Sequence, residues 1–159
     1  PVLLVAGVVV PDGAEHVGEG TAQDEEPALA RRQLVAGLVH DRGVETAETV
    51  RYPDVVLEPL PVDPNSLSTT RPALVVEIIS KTSERRDLGA KPVEYASLAS
   101  LEAYIAASQD APECWVWRRS ANGSMPADAE LVAGRGAAIV VPALGVSFDL
   151  GEIYRGIGA

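Results

Sequence analysis

The chain has little of several things. Cys114 is the single cysteine among 159 residues. An internal disulfide is therefore excluded, and so is a cysteine-rich zinc site. Cys114 stands in the apolar run ECWVW, which predicts a small buried hydrophobe rather than a reactive thiol. Histidine is almost as scarce. His16 and His40 lie apart in polar segments, with no paired spacing that would hold a metal. Aromatics make up 4% of the chain, so the core must be built mostly from Val, Leu, Ile and Ala. Lysine occurs only as Lys81 and Lys91, although Lys and Arg together number 13. No apolar run reaches the ~18 residues of a membrane span. The opening VLLVAGVVV is short and has no basic stretch before it, which predicts a strand rather than a signal peptide. These readings favour a cytoplasmic setting without membrane contact. There is no G-x-S-x-G elbow, no zinc-binding helix pattern and no Gly-rich phosphate loop.

What is present is acid. The formal net charge is −10. That argues against broad, charge-driven nucleic-acid binding, which needs Lys and Arg on the phosphates. It leaves room for an acidic cluster that binds a cation first. The length fits a single domain over 1–159, with 1–40 as a divergent or partly disordered N-terminal segment in which 11–28, rich in turn formers and acids (Glu15, Glu19, Glu25, Glu26), reads as loop or poorly ordered chain. With 47% apolar residues, a chain of this size buries a core without staples.

The hydrophobic pattern gives the order of elements. Residues 1–10 read as a strand. Residues 28–39 have a helical face through Leu29, Arg32, Gln33, Ala36 and Val39. PDVVLEPL, from Pro53 to Leu60, reads as a strand. ALVVEII, from Ala73 to Ile79, is apolar throughout except for Glu77, which predicts a strand buried on both faces. A polar loop follows, then a helix or helical turn over 87–99. LEAYIAAS and ECWVWRR flank the turn QDAP and predict a hairpin. Residues 120–128 form a loop. Ala129–Val132 and Ala137–Val141 suggest a last pair of strands, and LGVSFDLGEIYRGI a short strand with a terminal helical turn. A strand-helix-strand passage needs a parallel pairing in the sheet. The fold class is therefore α/β or α+β, with a mixed central sheet, flanking helices and a C-terminal β-hairpin region.

Two carboxylates stand out. Asp54 opens its strand directly after a proline. Glu77 lies late in the most apolar strand, where a carboxylate is costly unless paired or bound to a cation. A bland alternative pairs Glu77 with an arginine such as Arg71. Carboxylates at the ends of neighbouring strands can instead share one divalent ion, with a backbone carbonyl such as that of Ile78 as a further oxygen. Such an ion acidifies a bound water and polarises a phosphodiester. A nearby lysine steadies the developing charge. Both lysines follow Glu77 closely. Trp115 and Trp117 share one face of their strand. Base stacking is conceivable there, but core or subunit contact is the plainer reading.

The string RYPDVVLEP, then PALVVEIISKTSERRDLGAKPVEYASLASLEAYIAASQD, then VWRR, resembles the Uma-two family. Its members are described as restriction endonucleases of the PD-(D/E)xK superfamily. The resemblance rests on Pro53, Asp54, Glu77, Ser80, Asp87, Gly89, Lys91 and Tyr95 in order. It extends to the tail LGVSFDLGEIY and covers roughly 41–157. It implies a restriction-endonuclease-like fold and a site of Asp54 and Glu77 holding Mg²⁺ or Mn²⁺. The superfamily lysine would stand where Ile79 is. In this branch it is moved to the next helix, which points to Lys91 rather than Lys81. Ser80, Asp87 and Tyr95 read as structural, with Asp87 a possible helix cap. Pro92 follows Lys91, which sets Lys91 at a helix start with Pro92 in the first helical position.

The function implied is a metal-dependent endonuclease that hydrolyses DNA. The alternative is an inactive nuclease-fold relative serving as a binding or assembly module. The ECWVWRR strand suggests a homodimer surface.

Overall fold

A computed structural model of the protein describes residues 8–9, 34–37, 42–63, 65–80 and 87–157, the first two segments by their backbone pairing. The strands are β1 (Val8–Val9), β2 (Leu34–Gly37), β3 (Gly43–Glu45), β4 (Val50–Arg51), β5 (Val55–Pro59), β6 (Ser68–Thr69), β7 (Leu74–Ile79), β8 (Ala103–Ser108), β9 (Glu113–Arg118), β10 (Glu130–Ala133), β11 (Ala138–Val141) and β12 (Val146–Asp149). Helix α1 is Ala90–Ala96 and helix α2 is Leu150–Ile153.

The most apolar strand takes the place such a run demands. β7 lies inside a six-stranded sheet of order β10-β9-β8-β7-β5-β2. Leu74, Val75 and Val76 are buried. The β7–β8 pair is parallel, as the strand-helix-strand passage through α1 requires, and the other pairs of this sheet are antiparallel. The expected hairpin is the β8–β9 pair, with Ala106 opposite Trp115. Two small sheets complete the fold, β1-β12-β11 and β4-β3-β6.

The alternation of side chains divides the core in two. On one face of the large sheet, Leu57, Leu74, Val76, Ile105, Cys114 and Val116 pack with Ile139, Val141, Val146 and Phe148 of the small C-terminal sheet and with Leu150 and Ile153 of α2. On the other face, Val56, Val75, Ile79, Tyr104 and Trp117 pack with Val44 of β3 and Tyr95 of α1. Cys114 is 1% exposed, and burial pushes its thiol up to about 11, so it is the inert hydrophobe expected.

Four expectations need correction. The helical face over 28–39 is interrupted by a strand, since Leu34–Gly37 pairs with Val56–Pro59 of β5. Sheet pairing at an edge overrides a weak helical pattern. The last two strands do not pair with each other: β10 joins β9 and β11 joins β12. The ECWVWRR strand offers no free edge to a second copy. It lies between β8 and β10, and Trp117 is 3% exposed. Trp117 stacks on Tyr104 with ring centroids 5.2 Å apart, so base stacking on that ring is excluded as well. Finally, Pro92 is the third helical residue after the N-cap Gly89, not the first. The N–H groups of a helix's first turn have no intrahelical acceptor, so the proline still removes no helical hydrogen bond there.

Candidate active site

The register of β5 on β7 sets Asp54 and Glu77 at neighbouring positions. Val55 faces Val76, and continuing the ladder by one residue puts Asp54 opposite Glu77. Directly opposed residues of an antiparallel pair point to the same face. The Asp54 carboxylate turns onto the neighbouring backbone, where Oδ2 accepts the Ile78 N–H at 2.7 Å. The N–H and C=O of one strand residue point the same way. The Ile78 carbonyl therefore faces the same gap. The residue that continues the ladder there is Pro53, which has no N–H to give it.

Helix α1 supplies the cation. Lys91 Nζ lies 2.7 Å from Glu77 Oε1 and 2.8 Å from Asp87 Oδ1. The lysine side chain is 13% exposed, so little water screens these contacts. Glu77 and Asp87 are both buried, at 6% and 2% exposure. Asp87 Oδ1 has no well-angled hydrogen bond, and the ammonium charge beside it is what compensates its burial. Tyr95 donates its hydroxyl to the same Glu77 Oε1 at 3.1 Å. Burial pushes the Glu77 carboxyl up, against the pull of Lys91 and Tyr95, and the charge of Asp87 pushes it the same way as burial. The Tyr95 hydroxyl is raised by burial and by Glu77, which keeps it a donor.

Beneath the acids lies an aromatic floor. Tyr95 and Tyr104 have centroids 5.1 Å apart, and Tyr104 continues the stack to Trp117. The Tyr104 hydroxyl donates to the Asp87 carbonyl at 2.9 Å, fixing the residue that holds Lys91. On the outer side, Arg51 of β4 grips Glu94 of α1 with two hydrogen bonds of 2.8 and 2.7 Å. That pair ties the helix to the small sheet. A polar hollow of about 220 Å³ lies at the far end of β5, beside Arg42, Glu58 and Arg71. It includes none of Asp54, Glu77, Asp87 and Lys91.

The structure thus brings Asp54, Glu77, Ile78 and Lys91 to one end of the sheet. The arginine alternative fails, because Glu77 meets Lys91 and Tyr95, while Arg71 lines the distant hollow. Asp87 does not cap α1: Gly89 stands at the cap, with no side-chain cap bond. Lys81, His16, His40 and the four N-terminal glutamates lie outside the described residues, and Ser80 has its own partner. Two contributors were read from sequence as structural only, Asp87 and Tyr95. The available signal for Tyr95 was spacing: it stands four residues after Lys91 and so shares one face of α1 with it.

A mixed sheet with a parallel central pair, crossed by a helix that brings a lysine to the buried acid of β7, is a restriction-endonuclease-like architecture. The family model described as "Putative restriction endonuclease" matches residues 6–150, so the chain belongs to the Uma2 family. A crystal structure at 1.96 Å of "a putative nuclease belonging to DUF820" from Anabaena variabilis ATCC 29413 has a similar fold. Its TM-score is 0.61 at 13% identity, over 79% of this chain and 70% of that one. No curated protein sequence matches the chain. Among the described residues no helix is long and apolar enough to cross a membrane, and no group of three or more His, Cys, Asp and Glu gathers as a metal cluster.

Proposed function

We propose that the protein is a metal-dependent endonuclease that hydrolyses DNA phosphodiester bonds, with Asp54, Glu77 and the Ile78 carbonyl as ligands of Mg²⁺ or Mn²⁺. The observation that carries this reading is the register that sets Asp54 opposite Glu77, with Lys91 on Glu77 Oε1. The donor set suits a hard cation: two carboxylates and one carbonyl leave the remaining positions to water, as Mg²⁺ favours. The charge suits it too. Asp54, Glu77 and Asp87 against Lys91 leave a formal charge of −2, which one divalent ion offsets. When bound, such an ion lowers the pKa of its water and polarises the phosphate.

The protein's own groups do the rest. Asp54 is oriented by the Ile78 N–H and Glu77 by the Tyr95 hydroxyl. Lys91 supplies a positive charge and N–H donors beside these oxygens, for the negative charge that develops on the phosphate. Burial of Glu77 and Asp87 keeps the local dielectric low, which strengthens each of these interactions. The reading includes a cytoplasmic setting and a homodimer, since cutting both strands of a duplex favours two sites related by symmetry.

The test is nicking of supercoiled plasmid by the purified chain with Mg²⁺ or Mn²⁺, with a chelator, and with Asp54→Ala/Glu77→Ala. Cleavage that needs the metal and vanishes in the double variant is expected. Equal cleavage by both proteins would sink the reading. Metal binding without cleavage would point to the inactive nuclease-fold module.

A further inference from the structure

We infer that Asp87 is the positioning residue of this site: it holds the Lys91 ammonium in place once a divalent cation claims Glu77. The inference rests on the reading of Glu77 as a metal ligand. Lys91 bridges two buried carboxylates, Glu77 Oε1 at 2.7 Å and Asp87 Oδ1 at 2.8 Å. A divalent ion on Glu77 cancels that carboxylate's hold on the ammonium and adds a repulsion of its own. Left with Glu77 alone, Lys91 would swing toward solvent on its flexible stem. Asp87 prevents this. It is 2% exposed, so water does not screen it, and it lies four residues before Lys91, ahead of the start of α1. Its main chain is fixed in turn by the Tyr104 hydroxyl at 2.9 Å, and Tyr104 is wholly buried over Trp117. The order of support runs from the aromatic floor to Asp87, from Asp87 to Lys91, and from Lys91 to the reacting phosphate.

This division of labour explains a buried carboxylate whose Oδ1 takes no well-angled hydrogen bond. A cap or a purely structural aspartate would satisfy that oxygen with backbone N–H groups. Asp87 instead offers it to a charge. Glu77 is the acid that changes partners, and Asp87 is the acid that does not.

The chain has only two lysines, so ¹⁵N-lysine labelling gives two ammonium signals, and Lys81→Arg assigns them. The Lys91 signal is expected to stay ordered in Glu77→Gln and in the wild-type protein saturated with Mg²⁺. It is expected to disappear in Glu77→Gln/Asp87→Asn. Asp87→Asn should lower kcat on supercoiled plasmid about 100-fold with KM nearly unchanged, the cost of a catalytic group displaced by about 1 Å. Its Mn²⁺ affinity by calorimetry should stay near the wild-type value. Loss of the Lys91 signal in Glu77→Gln alone would overturn the inference, as would loss of Mn²⁺ affinity in Asp87→Asn. Wild-type protein that cleaves nothing removes the nuclease reading, yet the ammonium signals still decide what Asp87 does. If Asp87→Asn fails to fold, the Glu77→Gln spectrum decides alone.

Discussion

The two faces of the central sheet are built by opposite rules. The face under the C-terminal sheet is apolar: Val76, Ile105, Val116, Ile139 and Phe148 meet, among the described residues, with no buried carboxylate between them. The face under α1 buries Glu77 and Asp87 and stacks three of the chain's seven aromatics beneath them. Burying carboxylates does not stabilise a fold as packed hydrocarbon does, and replacing such groups by apolar ones is often neutral or stabilising. One face therefore supplies stability, and the other uses part of it to hold charge in place. The same strand serves both, since Val76 and Glu77 are neighbours on β7.

Substitutions can break this comparison. The largest effect is expected from Glu77→Gln, which should cut metal-dependent cleavage about a thousandfold. Its thermal midpoint at neutral pH should rise or hold. The sign follows from burial: a carboxyl pushed up in the folded protein holds its proton more tightly there than in the unfolded chain. Its contribution to stability is therefore greatest below the unfolded value and declines as pH rises through the folded value. A neutral amide avoids that decline. A large fall in midpoint would mean that both faces are structural.

On the opposite face, Phe148→Ala should cost about 3–5 kcal/mol in urea unfolding, the range for a truncated buried aromatic. The fraction that remains folded should still bind Mn²⁺. Loss of binding in folded protein would show that the faces are coupled. Tyr95→Phe is a smaller change. It removes one hydrogen bond to a buried carboxylate, about 1.5–3 kcal/mol in unfolding experiments. Cleavage should fall less than in Glu77→Gln, because the Glu77 carboxylate itself is still there to take the cation. The smallest effect belongs to the Arg51–Glu94 pair. Its hydrogen bonds hold the Glu94 carboxyl below the usual glutamate value. That stability is present above the unfolded value and lost as pH falls through the folded one. The pair is partly exposed, so it contributes about 1 kcal/mol or less. The midpoint difference between wild type and Glu94→Gln should therefore close on acidification.

The legibility of the sequence divides along the same line. β7, β8 and β9 were readable because their runs are mostly apolar and bounded by turn formers. Asp54, Glu77 and Lys91 were readable because each breaks a local pattern: an acid after proline, an acid within an apolar strand, and one of two lysines. Which strand pairs with which was not readable at the C-terminus. Ala138–Val141 pairs with Val146–Asp149 after a short helical turn, and its alternation alone fits either neighbour. The strand at Leu34–Gly37 was hidden because four residues of edge pairing leave little periodic trace. The contact of Asp87 with Lys91 was hidden for a different reason. A short acid before a helix looks like a cap, and only its distance to Lys91 shows otherwise.

Calorimetric titration of the purified chain with Mn²⁺ tests the central claim most directly. A single site is expected in the wild-type protein, lost in Asp54→Asn and in Glu77→Gln while both variants remain folded. Wild-type affinity in Glu77→Gln would contradict the assignment of this face as the metal-binding one.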